Sequence, residues 1–349
     1  MGRLLLLTIV LIVYGSLYPW HLHALPPGQN ALSILLHSWP NDPAPLLVRD
    51  VAVNILVYVP LGLVAFATFN SIWPSLLLGA LLSTFLELSQ AFIVARVSSL
   101  LDVESNTLGT ALGIAAGLLW TRTGHRAKQP PDSTLLLACW IVYQCFPFLP
   151  RLRPILVKQS PPQDVFLYFA EALALILLLQ KDLRLAVALL LAVPLKAFID
   201  TRTLSIAEII CYVAALGIAS FLPVSPSVAA VALAAALAFH GLAPYHFLSR
   251  PHEFNWVPFQ ASLSLEWEPA LTIILGKIFP YGALLWLIRE SGVRLLYATL
   301  LTAALLASIE TVQMYLPGRS SEIIDPLIAI ILGWVFYELR RTARSSKSQ

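Results

Sequence analysis

Apolar stretches long enough to cross a bilayer follow one another along most of this chain, parted by short polar turns such as Asn70-Ser71, Lys181-Asp182 and Ser291-Gly292. A helix needs about 20 such residues to cross the hydrocarbon core. In that medium every backbone N–H and C=O must find a partner inside the protein, so only helices and closed barrels survive. No segment alternates apolar and polar residues long enough for a barrel strand. The pattern predicts an all-α, polytopic transmembrane helical bundle. Its spans fall near 3–19, 50–69, 73–93, 104–121, 133–149, 163–180, 183–200, 206–222, 228–244, 267–288, 293–315 and 321–339, about twelve helices in all.

Composition agrees. The chain is 58% hydrophobic and 12% charged, against about 25% charged in an average soluble domain. A net charge of +3 is too small to argue for nucleic acid. No Gly-rich phosphate loop, HExxH or paired CxxC is present, so no cofactor and no metal is expected. Cys139, Cys145 and Cys211 all fall in apolar segments and read as buried thiols rather than a disulfide framework or zinc site. Arg3 followed by an apolar run resembles a signal peptide. A retained helix is the better reading, because equivalent segments recur later in the chain.

One polar pattern recurs among the spans. Glu87, Gln90, Arg96 and Asp102 are repeated as Glu310, Gln313, Arg319 and Asp325 with every gap conserved, E-x2-Q-x5-R-x5-D. A worn middle copy keeps Lys196, Arg202 and Glu208 at the Gln, Arg and Asp places, with Val193 in place of the Glu. The spans group as three fours, each opening with a helix that ends in an aromatic-rich Pro turn (Tyr18-Pro19-Trp20, Phe146-Pro147-Phe148, Pro244-Tyr245). The expected units are 1–125, a degenerate 126–226, and 227–349 with its basic tail Arg340, Arg341, Arg344 and Lys347. Within the second helix of a group, Pro60-x-Gly62 compares with Pro280-x-Gly282, a step that kinks a helix or lets another backbone approach.

Loops on the N-terminal side carry the larger share of Lys and Arg, which places both termini in the cytoplasm. Asp50, Asn54, Glu87, Gln90, Arg96, Asp102 and Asn106 then gather at the extracytoplasmic face. Carboxylates and guanidinium groups are costly there, and such residues mark functional sites by default. Arg96 is expected to bridge Glu87 and Asp102, since its fork takes one carboxylate bidentately while donating to another. That bridge alone would lock the helix turn. An Arg-centred pocket would also bind an anionic headgroup. As an acid/base pair, Glu87 and Asp102 are the catalytic candidates. Ser98, Ser99, Ser320 and Ser321 read as helix caps rather than nucleophiles. His252 to Phe259, which includes Asn255, reads as a lid, a re-entrant turn or an interfacial anchor. Lys277 lies inside a span, with Glu310 as its candidate partner.

These residues resemble the VanZ-like family of bacterial membrane proteins. The resemblance rests on Asp50-x3-Asn54-x5-Pro60-x-Gly62 and Glu87-x2-Gln90-x5-Arg96-x5-Asp102-x3-Asn106-x2-Gly109. It rests again on Asn255-x2-Pro258-Phe259, Pro280-x-Gly282 and Glu310-x2-Gln313-x5-Arg319-x5-Asp325. It covers roughly 12–120 and 235–340, and Ala270 and Ile274 replace Asp50 and Asn54 in the later copy. The family is named for a protein linked to low-level teicoplanin resistance. What the resemblance implies is a four-helix membrane module with a cell-envelope role in the bacterial inner membrane, not a particular reaction. The expected partners are membrane lipids, with an anionic envelope lipid or glycolipid precursor bound through Arg96, Arg202, Glu208, Arg319 and their neighbours. The alternatives are a subunit of a larger membrane complex and an enzyme acting on an envelope lipid, with a non-enzymatic role preferred.

Overall fold

The computed structural model describes residues 1–39, 45–94, 96–122, 131–157, 159–179, 193–258 and 267–345. The chain forms two compact units, Met1–Arg126 with Glu266–Glu268, and Ala127–Leu265 with Pro269–Gln349. The first holds α1 (Gly2–Leu17), α2 (Ala31–Leu36), α3 (Pro45–Phe69), α4 (Ile72–Gln90) and α5 (Leu100–Arg122). The second holds α6 (Pro131–Cys145), α7 (Pro162–Leu178), α8 (Ile206–Phe221), α9 (Pro226–Gly241), most of α10 (Trp267–Glu290), α11 (Leu295–Gln313) and α12 (Ile324–Ser345). Two short parallel strands, β1 (Leu156–Val157) and β2 (Leu204–Ser205), pair Leu156 with Leu204.

Among the described residues, four helices are long and apolar enough to cross a membrane: Val48–Phe69, Ile72–Gln90, Pro269–Glu290 and Leu295–Gln313. Gly2–Leu17, Ile206–Phe221 and Pro226–Gly241 are apolar but shorter. The span expected at 183–200 is corrected at its end, where Val193–Phe198 wind as a 3-10 turn containing Pro194. A proline lacks the N–H that an α-helical interior needs. The Lys181-Asp182 turn, Lys158, Arg126, Lys128, Phe259 and Lys347 lie outside the described residues. The short helix α2 was not expected; Asn30 starts it by accepting the Ser33 N–H (2.7 Å).

In the first unit α3 and α5 run backbone against backbone. A Cβ on Gly62 would sit 2.0 Å from the Thr110 carbonyl oxygen, one on Gly109 2.3 Å from that of Ile55, and one on Gly113 2.1 Å from that of Val59. Small residues four apart allow this approach, which drives association where lipid removes the hydrophobic drive. Leu5, Ile12, Tyr58, Leu61, Ala65 and Leu86 fill the core beside it. Trp73, Leu77, Leu81 and Phe85 line one exposed stripe of α4, the surface that suits contact with acyl chains.

The second unit packs around Leu136, Trp140, Leu178, Leu233, Phe279, Leu284 and Phe336. Asp132, fully buried at the start of α6, accepts from Arg340 through both Nε (2.6 Å) and Nη2. Arg289 Nη1 lies 3.8 Å from the same carboxylate, and Glu290 pairs with Arg289 at 2.5 Å. This ion group joins one end of α6, α10 and α12.

Candidate functional site

A helix leaves its last four carbonyls without intrahelical partners, at the negative end of its dipole. Three helices here end in an X-Pro turn with a cis bond, followed by an aromatic residue at positive φ: Trp20 (58°), Phe148 (64°) and Tyr245 (62°). In each case one arginine supplies the missing donors. Arg96 donates Nε to Tyr18 O (2.8 Å) and Nη2 to Gly15 O (3.3 Å). Arg202 does so to Phe146 O (3.0 Å) and Tyr143 O (2.5 Å), and Arg319 to Ala243 O and His240 O (both 2.9 Å). The same two nitrogens meet carbonyls three residues apart every time. Arg202 also stacks 4.2 Å over the Tyr143 ring.

The other motif residues extend this scheme. Gln90 donates to Ser16 O (3.2 Å) and Gln313 to Gly241 O (2.8 Å), one residue along from the arginine contacts. Glu87 Oε2 accepts the Ser99 N–H just ahead of α5, and Glu310 Oε2 accepts the Glu322 N–H ahead of α12, each at 2.8 Å. The glutamates thus serve helix N-termini while the arginines serve C-termini. One expectation is corrected. The capping assigned to the serines falls to Glu87, and Ser98 Oγ turns back to the Glu87 carbonyl (2.7 Å). Arg96 attracts Glu87 electrostatically, and Asp102 stands beside the Asp50 carboxylate and the Asn54 amide.

A cavity of about 300 Å³ in the first unit gathers the expected residues Asp50, Asn54, Glu87, Gln90, Arg96, Asp102 and Asn106, with Ser16, Tyr58 and Ser99. Asn106 donates Nδ2 to Ser83 Oγ (2.9 Å), and its buried Oδ1 meets no donor.

A larger cavity, about 610 Å³, lies within the second unit and is lined by Arg202, Glu208, Glu310, Gln313, Arg319 and Asp325, as expected. Several residues the sequence reading did not place here line it too: Lys196, Lys277, Tyr281, Glu171, Asp164, His240 and Gln144. Lys196 Nζ bonds both Glu208 oxygens (2.6 and 2.5 Å). Lys277 pairs with Asp325 (2.5 Å), not with Glu310 as expected, and the Tyr281 hydroxyl donates to the other Asp325 oxygen. The signal was readable, since Lys277 and Tyr281 are four apart and share a helix face. Asn255 is not among the lining residues. It works through its backbone, donating to Ser321 O (2.9 Å) and accepting from Ile323 N (3.1 Å). Among the described residues no group of three or more His, Cys, Asp or Glu is placed to hold a metal ion.

Apolar spans, lipid-suited faces and buried polar cavities define the class: this is an α-helical membrane protein. Residues 3–121, about a third of the chain and all within the first unit, match the family model described as VanZ/LLP1. No curated protein and no solved structure matches the chain.

Proposed function

We propose that this membrane protein binds the headgroup of an anionic envelope lipid or lipid-linked precursor in the second unit's cavity. The observation that carries this reading is the cavity itself: about 610 Å³, sized for a small amphiphile's polar end, with the basic side chains Lys196, Arg202, Lys277 and Arg319 lining it among the carboxyl groups of Asp164, Glu171, Glu208, Glu310 and Asp325. Arg319 spends two of a guanidinium's five N–H donors on helix carbonyls, and a fork held in that way is preorganised for phosphate. Lys277 retains further N–H donors beyond its Asp325 bond. Glu171, Gln144 and Tyr168 offer partners for hydroxyl groups on the same ligand. In this reading the protein lies in the bacterial inner membrane with both termini in the cytoplasm and this cavity at the extracytoplasmic face, an orientation that the charge bias of the loops supports. The three arginine caps support a descent of the chain from one module repeated three times.

Native mass spectrometry of the purified full chain tests the reading, with phosphatidylglycerol and a polyprenyl phosphate as probes. The variant is Lys277→Met with Asp325→Leu, which removes the pair together and leaves no lone buried charge. Anionic lipid retained by the wild type and lost from a monodisperse double variant is the expected result. Equal retention by both sinks the proposal. A second reading, a structural subunit of a larger membrane complex, draws on the same helix caps. It gains if gentle extraction brings down a stable protein partner and no lipid.

A further inference from the structure

The second unit's cavity is walled by two copies of the polar pattern, the middle and the last, and they spend their groups differently. In the flanking copies the motif glutamine serves a helix end: Gln90 donates to Ser16 O and Gln313 to Gly241 O. Both acceptors stand three residues before a cis proline, Pro19 and Pro244. Three before Pro147 the residue is Gln144. The motif residue that would serve it is Lys196, which bonds both Glu208 oxygens instead. The motif glutamate is Val193 there. The middle copy has thus given up two helix caps and carries a long amide where the others have serine and glycine.

That amide is unspent. Gln144 is only 5% exposed, lines the cavity, and its Oε1 meets no donor. Tyr168 and Glu171, three apart on one face of α7, line the same space. Among the described residues no hydrogen bond engages either side chain. One water would serve one orphan. Three unspent groups on α6 and α7, which pack together, form a larger set: a carboxyl, an amide and a phenol. Such a set reads neighbouring hydroxyls, because each hydroxyl both donates and accepts. Size points the same way. A phosphate held by Arg319 and Lys277 fills only a small part of about 610 Å³ and leaves room for a ring beside it. Leu167 and Leu237 give that ring's C–H face an apolar wall.

We infer that the middle copy is the sugar-reading half of this cavity, with Gln144, Tyr168 and Glu171 holding the hydroxyls of a hexosyl phosphate whose phosphate meets Arg319 and Lys277. This rests on the headgroup reading above and narrows it from anionic lipids in general to glycosylated lipid phosphates. The worn sequence of the middle copy follows from the division of labour: groups withdrawn from capping are free for a ligand. A hexosyl phosphate has two sources, a lipid-linked sugar or a free sugar phosphate.

The test is native mass spectrometry of the full chain in mild detergent, with a polyprenyl phosphate and a polyprenyl phosphoglucose offered together. The wild type retains the glucosylated lipid over the bare phosphate by about tenfold, the worth of one or two hydrogen bonds. Gln144→Met and Glu171→Gln each bring that ratio close to one by lowering retention of the glucosylated lipid. Gln144→Met deletes a buried amide that has no partner to strand, so without ligand it melts at or above the wild-type temperature. A clear drop there marks Gln144 as structural and overturns the inference. Equal retention of the two lipids by the wild type also overturns it and leaves the headgroup reading standing. Phosphatidylethanolamine retained as well as the glucosylated lipid overturns it too, since Glu171 then serves an ammonium. Retention of neither polyprenyl lipid sinks the headgroup reading, and glucose 1-phosphate then decides. A rise in wild-type melting temperature that inorganic phosphate does not give, and that Gln144→Met lacks, assigns a free sugar phosphate to the same groups. No such rise overturns the inference.

Discussion

Replacing Arg319 by alanine removes two donors from the end of α9. The Ala243 carbonyl loses its 2.9 Å partner. The His240 carbonyl loses one too, but it still lies 3.4 Å from the Ala243 N–H and is the less exposed to loss. Hydrogen bonds to charged groups contribute roughly 1.5–3 kcal/mol each. Opposition of a cation to the helix C-terminus adds about 0.3–1 kcal/mol. Counting one full bond, part of the second and the dipole contribution, Arg319→Ala costs about 3 kcal/mol. Each kcal/mol moves the melting temperature of a large domain by about 2–4 °C, so a drop of roughly 6–12 °C is expected. Arg319→Lys keeps the charge but reaches one carbonyl at most, and falls between. Thermal unfolding of a fluorescent fusion, followed by size-exclusion chromatography in mild detergent, reads both. Arg96→Ala and Arg202→Ala should give drops of the same order, because their bonds repeat those of Arg319. An Arg319→Ala protein that melts within about 1 °C of wild type refutes the capping account.

Gly113→Leu places a side chain where even a Cβ meets the Val59 carbonyl at 2.1 Å. Backbone cannot yield there as a side chain can, so folded protein should be lost on gel filtration, while Gly117→Ala, whose Cβ meets only side chains (the Phe66 ring at 2.7 Å and Leu63 at 3.5 Å), remains folded at a cost of about 1–3 kcal/mol. Lys196→Met alone strands the buried Glu208 carboxylate and lowers stability by about 3–5 kcal/mol, whereas Lys196→Met with Glu208→Leu recovers most of it. A double variant no more stable than the single one in the same melting assay contradicts that account.

The sequence announced the helical class because apolar length and the absence of alternation leave few options in lipid. It also brought Glu87, Arg96 and Asp102 to one cavity, since two helices joined by a short loop place their facing ends together. What it hid was the identity of the arginines' partners. Side chains are visible in a sequence and orphaned carbonyls are not, so Arg96 was matched to the carboxylates in view instead of to Tyr18 O and Gly15 O. The Lys277–Asp325 pair is hidden for a related reason: Ala270 and Ile274 stand where the earlier copy has Asp50 and Asn54, and the cation that meets Asp325 lies two turns further along α10. Gly109, Gly113 and Gly117, four apart, are legible in the sequence as a close-packing stripe. Val193–Phe198 illustrates local override, because apolar composition alone suggested a helix that Pro194 breaks into a tighter turn.

The ion group around Asp132 fastens α6, α10 and α12 at one end, and the cavity-lining Tyr143, Lys277 and Asp325 sit well away from it on those same helices. From Arg340 back to Asp325 is roughly 22 Å at 1.5 Å per residue. Ile328, Leu332 and Phe336 fill the stretch between as buried core, so the rod that carries the Asp325 carboxylate is clamped along its length as well as at its far tip.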